Sequence, residues 1–446
     1  MLIKNIRPEI YQNTIKPRTI QKNESNIQTT SKGDISQIQI DNYKTQHHQD
    51  PILFEDHNGK INHLLIFLSE SYIPYELIQR MYNDYEILFN KMKGTKFTFI
   101  IGPYDSKVKQ DLENMAKKYN ADVDIIQSPI GIDIWARDYF ITLKNPDNTY
   151  TLFVGKRYHG LEWDPNRDKR GEILAKLIEK KYPEIKVVVN KKMAIEGGDV
   201  VSNTINAFVG YRAIETTAKL LTNPATASSE LAINQAIEYM SKIMNKKVIP
   251  YGKDNPETPI KETPPTFHID MGVMPINEKT ILVGDIKLAL KIIENLSEEE
   301  KEKLSKTLDE NSKPFGSKNI LAKLVNKNKK LMDVQASFDD VANNFEKMGY
   351  KVIRVPYLEG TPPSTPYITY TNGLLETFQD ENGNTIKRVF MPSFAPQLDK
   401  YAEKIYKQEG FEVIKLPLAH LTTLAGGIRC NTQVLKRTQE LEKVIT

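Results

Sequence analysis

The stretch TFHIDMGVMPINEKTILVGDI, residues 266–286, contains two apolar runs that each have the length of a β-strand. A charged segment with helical spacing follows it. The apolar run YKVIRVPY, residues 350–357, then predicts another strand. This part of the chain therefore predicts two strands, an interruption with helical spacing and a further strand.

An order of strand, strand, helix and strand recurs along most of the chain, with at most five units. The further predicted strands are KINHLLIFLSE (60–70), KFTFIIGP (96–103), ADVDIIQS (121–128), DYFITLK (138–144), YTLFVGK (150–156), IKVVVN (185–190), NAFVGYRA (206–213), KKVIPY (246–251), YITYTNGLLE (367–376), KRVFMPSF (387–394) and FEVIKLP (411–417). The predicted helices cover about 74–92, 105–119, 169–182, 226–245 and 395–409. DYFITLK and YTLFVGK are predicted to pair as a hairpin. Repeated strand–strand–helix–strand units indicate an α/β fold.

Two segments do not follow the repeated order of strands and helices. Residues 1–58 are rich in Gln, Asn, Lys, Ser and Thr and are predicted to be a disordered or loosely attached extension. Residues 59–446 would then form the ordered domain. Within it, the charged segment of about 287–347 predicts a helical insertion, the early part of which lies on the surface.

Composition excludes several classes of protein. The net charge is only +4, and no nucleic-acid-binding motif is present, so no nucleic-acid partner is expected. The longest apolar runs, such as LLIFL at 64–68, are far shorter than a membrane span, and the N-terminus has no signal-peptide pattern. We therefore predict a cytoplasmic protein, although export without a cleaved signal would leave no trace. A single cysteine permits no internal disulfide and argues against a structural zinc site, and no metal is predicted.

That cysteine, Cys430, lies in LAGGIRCNTQ, residues 424–433, directly after Arg429. It is either a buried core thiol or a nucleophile. The choice depends on which reactive side chains elsewhere in the chain converge on it.

Two other motifs carry charged residues beside apolar or glycine positions. DIWARDYF, 133–140, places Trp135, Arg137 and Asp138 before a strand, where an aspartate is ordinarily a cap or a salt-bridge partner. AIEGGDVVSN, 194–203, has Glu196 and Asp199 on either side of a glycine pair, which predicts a tight turn with positive φ.

Two further motifs contain polar residues in apolar surroundings. In FHIDMGVMPI, 267–276, His268 and Asp270 would share one face of a strand, as a reactive pair or as a hydrogen-bonded core pair. In PYITYTNGLLE, 366–376, Asn372 and Gly373 have the composition of a hairpin turn.

These residue types together suit one kind of chemistry. A thiolate is a nucleophile, and a histidine transfers protons near neutral pH. Paired carboxylates match the N–H donors of a planar guanidinium, whose charge offsets their mutual repulsion. The set therefore points to a guanidinium substrate that is attacked at its central carbon.

The four motifs WARD (135–138), EGG (196–198), HID (268–270) and GGIRC with NTQ (426–433) resemble those of the guanidino-group-modifying superfamily. The closest branch holds agmatine deiminases and bacterial peptidylarginine deiminases, and the resemblance covers about residues 60–436. It implies a five-bladed, pseudosymmetric propeller of ββαβ units, the pentein fold.

The resemblance also implies residue roles. Cys430 would be the nucleophile and His268 the general acid and base, with Glu196 orienting or pairing with His268. Asp138 and Asp270 would hold the guanidinium. The residues expected to bind or position substrate are Trp135, Arg137, Asp199, Asn372 and Arg429. The implied reaction passes through a covalent thiouronium and releases ammonia and a ureido product without a cofactor.

The substrate stays open at this stage. The chain reads RDYFITL after Trp135, which departs from the agmatine branch, and Arg429 resembles the residue found in free-arginine deiminases. The extra segments around the core favour arginine within peptides or proteins over agmatine. The expected partner is thus a guanidino small molecule or an arginine-containing peptide or protein, and the oligomeric state is left open.

Three other functions compete with this hypothesis. An amidinotransferase would use the same thiouronium and pass the amidino group to an amine. An iron-dependent oxygenase could use His268, Asp270 and the distant His420 as a facial triad. A binding module on the same fold would leave Cys430 as an inert buried thiol.

Overall fold

The structure, a computed structural model, describes residues 50–158, 167–223, 226–252 and 265–438. Its strands are β1 (Ile52–Leu53), β2 (Lys60–Leu68), β3 (Lys96–Ile101), β4 (Asp122–Gln127), β5 (Ile141–Lys144), β6 (Tyr150–Lys156), β7 (Ile185–Ala194), β8 (Val200–Ser202), β9 (Asn206–Gly210), β10 (Lys247–Tyr251), β11 (Val273–Pro275), β12 (Thr280–Asp285), β13 (Lys351–Leu358), β14 (Ile368–Thr369), β15 (Leu374–Gln379), β16 (Thr385–Ser393), β17 (Glu412–Pro417) and β18 (Thr432–Thr438).

The α-helices of the same ranges connect these strands. They are α1 (Tyr75–Lys91), α2 (Ser106–Tyr119), α3 (Arg167–Lys181), α4 (Tyr211–Leu221), α5 (Glu230–Met244), α6 (Ile286–Glu294), α7 (Glu298–Asn311), α8 (Ile320–Asn328), α9 (Met332–Lys347), α10 (Pro396–Gln408), α11 (Ala419–Thr422) and α12 (Ile428–Asn431).

The strands form five sheets, with the neighbour orders β18-β2-β3-β4, β1-β5-β6-β7, β8-β9-β10, β11-β12-β13-β14 and β15-β16-β17. In the second of these, β5 and β6 pair antiparallel, as the hairpin prediction requires, and α3 crosses over so that β7 pairs parallel with β6. The other sheets also combine an antiparallel pair with a parallel pair across a helical connection. The predicted α/β class is confirmed. The arrangement of the five sheets around one axis stays a prediction.

The core explains why the central part of β2 is a continuous apolar run and does not alternate with polar residues. In β2, Leu64, Ile66 and Leu68 pack on the side that faces α1. The intervening Leu65 and Phe67 belong to a different core cluster, which includes residues of β6 and α3. Because successive side chains of a strand point to opposite faces, a sheet covered on both faces needs apolar residues at every position.

The first and last parts of the described chain meet in one sheet. β18 pairs antiparallel with β2, with Thr432 opposite Ile66. Directly before this strand, Asn431 donates hydrogen bonds from Nδ2 to the carbonyls of Phe67, at 3.0 Å, and Ile134, at 2.7 Å. This pairing fixes the position of the preceding residue, Cys430.

The chain upstream of β2 is more ordered than the sequence predicts. β1 pairs antiparallel with β5, and Leu53 and Phe54 are buried. Residues 50–58 therefore belong with the ordered domain, and the predicted boundary at residue 58 is wrong. This stretch covers apolar surface and pairs with the edge of a sheet. Residues 1–49 lie outside the described residues.

The segment predicted as an insertion, about 287–347, is helical, but its early part is not a surface addition. It spans α6 to α9, which together form the connection between the parallel strands β12 and β13. α6 buries Ile286, Ala289, Ile292 and Ile293, so it belongs to the core. The most exposed part is α7, which buries only Leu304 and Leu308 and starts at a capping box. Within the described part of the chain, no helix combines the length and the apolar character that a membrane span requires.

We expect Gly59→Ala to destabilise the contact between residue 59 and the end of β18. Gly59 has φ +83°, and an added Cβ would lie 1.8 Å from the carbonyl oxygen of Thr438 at the end of β18. Gly383 is a matched control because it has φ +80° and nothing within 4 Å of its Cβ position. Urea unfolding should show a loss of about 3 kcal/mol or more for Gly59→Ala and about 1 kcal/mol for Gly383→Ala. Equal losses would mean that the close contact with β18 contributes nothing.

Candidate active site

Five short turns, one at the start of an antiparallel strand in each sheet, carry most of the predicted site residues. They are Ala136–Tyr139 before β5, Gly197–Asp199 before β8, Ile269–Met271 before β11, the bend at 370–373 before β15, and α12 before β18. Their functional residues are, in the same order, Asp138, Asp199, Asp270, Asn372 and Cys430. The candidate site is thus built from the turns that lead into these strands, and the sheets hold the turns in place.

Cys430 is buried and is held by Asn372. The Sγ atom lies 3.1 Å from Asn372 Nδ2, and the Asn372 Oδ1 atom accepts from the backbone N–H groups of Gly427, at 3.1 Å, and Cys430, at 3.3 Å. One amide therefore fixes both the thiol and the loop before it. The hairpin-turn interpretation of Asn372 and Gly373 is wrong, since β14 and β15 on either side belong to different sheets.

Asp270 lies beside the thiol and is held by Arg429. Its carboxylate oxygens are 3.7 Å and 3.9 Å from Cys430 Sγ. Arg429 donates to Asp270 Oδ2 at 2.7 Å and to Asp56 Oδ1 at 2.8 Å. Its remaining N–H groups bond to Asp56 again and to the carbonyls of Gly197 and Val200.

Arg429 was predicted to bind substrate, but the structure leaves it no free N–H donor for a ligand. A guanidinium has five N–H donors, and all five are used within the protein. Asp56, which the sequence analysis assigned to the loosely attached extension, completes this set of contacts.

His268 lies between two carboxylates. Its Nε2 atom is 3.1 Å from Glu196 Oε2, and its Nδ1 atom is 3.7 Å from Asp138 Oδ1. Burial alone would lower the pKa of His268, but the negative charges of Asp138 and Glu196 outweigh burial and raise it to about 10. The imidazole is therefore protonated at neutral pH and can act as a general acid.

The sequence predicts that His268 and Asp270 share one face of a strand, and this prediction is wrong. The strand begins only at Val273, so the two residues do not share a strand face. His268 is extended, with φ −123° and ψ 144°, and Asp270 lies in the turn that follows. They reach the same site because the chain bends between them.

Arg157 is a functional residue that the sequence analysis missed. It lies partly buried directly after β6, donates from Nε to Glu196 Oε1 at 3.1 Å, and places its other nitrogens 3.7 Å from Asp133 and Asp138. Its guanidinium stacks on the ring of Tyr139 at 4.5 Å. The sequence signal that could have pointed to Arg157 is its position directly after an apolar strand.

Arg157 limits, but does not cancel, the repulsion among the carboxylates. Burial raises the pKa of Asp138 to about 7, with the charge of Glu196 acting in the same direction and His268 and Arg157 against it. The region beside Cys430 thus keeps an excess of acidic groups.

The sequence predicts a positive φ at the glycine pair of the EGG motif, and this prediction is wrong. Glycine is required at both positions by close packing. An added Cβ at Gly198 would lie 2.5 Å from His268 Nδ1, and one at Gly197 would lie 2.3 Å from the carbonyl oxygen of Arg137. Neither glycine is among the residues with positive φ. Asp199, after the pair, accepts from the backbone N–H of Ile269 at 3.2 Å and so positions the next turn.

Aromatic side chains lie at the edge of the site. The Trp135 ring is partly buried and packs directly on Gly426, where an added Cβ would meet it at 2.4 Å. Tyr72 is 44% exposed, while its hydroxyl lies near Trp135 and Asp133, and burial of that hydroxyl with the charge of Asp133 raises its pKa to about 12. Arg137, predicted to bind substrate, instead lines a cavity shared with Arg429.

The Cys430 thiol is not ionised in the free protein. Burial, together with the negative charges of Asp270 and Asp138, raises its pKa well above the ordinary range of a cysteine. A cation placed against these carboxylates would reverse the electrostatic part of this shift.

The arrangement does not support the oxygenase alternative. His420 lies on α11, and its Nε2 atom is 3.1 Å from Asp84 on α1, away from His268 and Asp270. Among the residues for which the structure gives a position, no three His, Cys, Asp or Glu side chains are grouped to hold a metal ion.

The chain matches no protein-family model and no curated protein sequence. Its structure is similar to that of a C. jejuni agmatine deiminase, with a TM-score of 0.50 and 15% identity over 87% of this chain and 96% of the other. A cysteine-to-serine variant of that enzyme with substrate bound gives 0.53 and 14% over 87% and 97%. The agmatine deiminase of Enterococcus faecalis gives 0.54 and 12% over 88% and 97%. The chain therefore has the fold of these agmatine deiminases, as the resemblance implied.

We expect Gly198→Ala to displace His268. The added methyl group would overlap the imidazole and would also approach Asp138 Oδ1, at 3.2 Å. A shift of about 1 Å at a catalytic group costs on the order of 10²-fold in rate, so activity should fall by about that factor. Gly131→Ala is the matched control, since nothing lies within 4 Å of its Cβ position, and it should keep activity within about twofold. Circular dichroism on both variants separates a local effect from unfolding, and full activity of Gly198→Ala would contradict the role of His268.

Proposed function

We propose that the protein is a cysteine-dependent hydrolase of guanidinium groups, that is, a deiminase. The observation that carries this proposal is a buried thiol 3.7 Å from one carboxylate oxygen, with a second carboxylate and a protonated imidazole in the same site. A thiol in such a place is poorly nucleophilic until a cation arrives. A guanidinium is a cation that also carries the electrophilic carbon.

In the proposed complex, Asp138 and Asp270 hold the guanidinium by paired hydrogen bonds. The positive charge of the substrate offsets the two carboxylates that disfavour the Cys430 thiolate. In the free protein, the negative charges of these carboxylates contribute to the raised pKa of the Cys430 thiol. The bound cation offsets those charges, so substrate binding lowers the pKa of the thiol. The nucleophile is thus generated only where its target is present.

The reaction then proceeds in two halves. The Cys430 thiolate forms an S–C bond to the guanidinium carbon, and His268 gives a proton to one departing nitrogen, so that a C–N bond breaks and ammonia leaves. The product is a thiouronium cation on Cys430. Water, which loses one proton to His268, attacks the same carbon, and the C–S bond breaks to return the thiolate. The second proton of that water leaves the oxygen to solvent as the neutral ureido product is released.

Three further residues would support this reaction. Glu196 accepts from the imidazole and supports its charge, while Asn372 holds the thiol in place through its Nδ2 atom. Arg157 in turn orients Glu196 and Asp138. Loss of any one would misplace the acid or the nucleophile.

We further propose that the five sheets are arranged about a common axis, as in a five-bladed pentein propeller. Support comes from their shared strand order and from the convergence of one turn from each sheet on a single site. A ring of five equivalent units places such turns near its centre.

For the substrate, we propose an arginine-like guanidinium, in a peptide, a protein or agmatine. The partly exposed rings of Trp135 and Tyr72 border the site and offer a surface for the part of the substrate that is not the guanidinium. An amidinotransferase would use the same residues, and its reaction is a separate outcome of the test below.

Turnover should depend on Cys430 and on one class of guanidine. A ureido-product assay with agmatine, free L-arginine and an arginine-containing peptide should give signal for one class. Cys430→Ser should lower it by at least about 10³-fold, because an alcohol at this site is a far weaker nucleophile. The serine differs by one atom and should leave the unfolding midpoint almost unchanged. Absence of a ureido product together with a new guanidino compound after addition of an amine acceptor would replace hydrolysis by amidino transfer. Absence of both products with every substrate would favour a binding module.

Alkylation can test the activation of the thiol by a cation. We expect chloroacetamidine, a cation, to label Cys430 at least about tenfold faster than neutral chloroacetamide, after division by the rate ratio with a free thiol. Asp138→Asn should remove most of this preference, since it deletes one of the charges that hold the amidinium. Mass spectrometry of the labelled peptide gives the rates. Equal corrected rates in the unmodified protein would contradict the proposed carboxylate site.

A further inference from the structure

The proposed reaction gives no role to the NTQ sequence, residues 431–433, that follows the nucleophile. Asn431 is fully buried, and its amide Nδ2 donates to the carbonyl oxygens of Phe67, at 3.0 Å, and Ile134, at 2.7 Å. Its Oδ1 atom accepts from the hydroxyl of Tyr85 on α1 at 2.9 Å. Both donors and the acceptor of this amide are therefore used within the protein.

The bond to Ile134 ties the nucleophile to the turn that carries Asp138, because Ile134 comes shortly before that turn. On the other side of Cys430, Arg429 ties the same short helix to Asp270. The residues on both sides of the thiol therefore fix its position, each relative to a different carboxylate.

Helix α1 also contacts the chain before the nucleophile. Next to Tyr85, the Asp84 carboxylate lies 3.1 Å from Nε2 of His420, and both side chains are buried. Between His420 and Asn431, the chain passes through Ala425 at φ +77°. The other non-glycine residues with positive φ in the described ranges are asparagines, which tolerate this conformation better than alanine. Such a strained segment keeps its conformation only when its surroundings hold it, and α1 holds this one at both ends.

We propose that Asn431, together with Tyr85, positions the Cys430 thiol for attack on the bound guanidinium. This inference rests on the proposed function and adds two positioning residues to it. Neither residue would touch the substrate. Asn431 acts through the backbone that it shares with the nucleophile, and Tyr85 acts through the amide of Asn431.

The expected effect is on the rate and not on substrate binding. The carboxylates that would hold the guanidinium have partners of their own. Arg157 lies 3.7 Å from Asp138, and Arg429 bonds to Asp270. Loss of the Asn431 amide would therefore displace the thiol and leave these partners in place. A shift of about 1 Å at a reacting group lowers the rate on the order of 10²-fold.

The test compares Asn431→Ala with the matched control Asn328→Ala in the full-length protein. Asn328, at the end of α8, is also fully buried, donates to the carbonyls of Leu324 and Glu359, and accepts from the N–H of Glu359. Both variants should lower the thermal unfolding midpoint by a similar amount. Only Asn431→Ala should lower kcat by about 10²-fold, with KM within about threefold. An equal loss of activity in both variants, or full activity in Asn431→Ala, would overturn the proposal.

The labelling rates of Cys430 give a second readout that needs no turnover. The preference for chloroacetamidine over chloroacetamide should fall several-fold in Asn431→Ala, because the thiol is no longer held at its distance from Asp138. Asn328→Ala should keep the preference of the unmodified protein. A preference that is unchanged in both variants would contradict the positioning role.

A milder pair of variants serves if Asn431→Ala does not fold. Tyr85→Phe removes only the hydroxyl that bonds to Asn431 and should lower kcat about three- to tenfold. Tyr182→Phe removes a hydroxyl that donates to Asp124 at 2.6 Å and should keep kcat within about twofold. Equal kcat values in this pair would overturn the proposal.

The outcomes separate this inference from the proposed function. An unmodified protein with turnover and a cation preference, both of which persist in Asn431→Ala and Tyr85→Phe, would overturn the positioning role alone. An unmodified protein with neither property would overturn the proposed function, and the positioning role with it.

Discussion

The guanidinium of Arg429 is the interaction on which the candidate site depends. It is almost fully buried, and its five donors join Asp56 near the start of the described chain, Asp270 in the turn before β11, and two carbonyls around β8. A buried ion pair adds little stability by itself, because removing both charges from water costs about as much as their attraction returns. What it provides is position, since a fully satisfied group has one arrangement in which every donor is used. The residue next to it is Cys430, so this arrangement also sets the distance between thiol and carboxylate.

The electrostatics of the site follow from the number of charges that are held there. Asp138 and Asp270 both disfavour the thiolate, and Glu196 adds to the acidic character. Arg157 and the protonated His268 compensate only part of this charge. A site that contained more fixed cations would ionise its cysteine without substrate but would bind a guanidinium less well. The carboxylates disfavour the Cys430 thiolate in the free protein, and a thiol that stays neutral is less open to oxidation or alkylation.

The sequence predicted the fold and the central residues because both leave local patterns. Strand-length apolar runs and helical spacing identified the repeated units, and the short motifs held Cys430, His268, Asp138 and Asn372, which the structure brings together. Contacts between distant segments leave no such pattern. Asp56 and Arg429 are 373 residues apart, and nothing local to residue 56 indicates the pair.

Some predictions failed because one pattern has several physical causes. A glycine pair fits positive φ, but Gly198 is glycine because an imidazole lies against it. Alternation of apolar and polar residues fits a strand, but the chain around His268 and Asp270 bends through a turn. In both cases the deciding contact comes from another sheet, so periodicity along the chain carries no information about it. Arg157 was missed for the same reason, since its partners Glu196 and Asp133 lie in other elements.

The pairing of β18 with β2 has a consequence for the order in which the molecule can form. Asn431 bonds to Phe67 across 364 residues, so the first sheet stays incomplete until nearly the whole described chain has emerged from the ribosome. Until then β2 has an open edge, and such edges invite pairing with other chains. Contacts of this separation also form slowly, because a long loop must close before they contribute. Because Cys430 directly precedes β18, a fragment that ends before β18 would contain most of the sheets but not the candidate site.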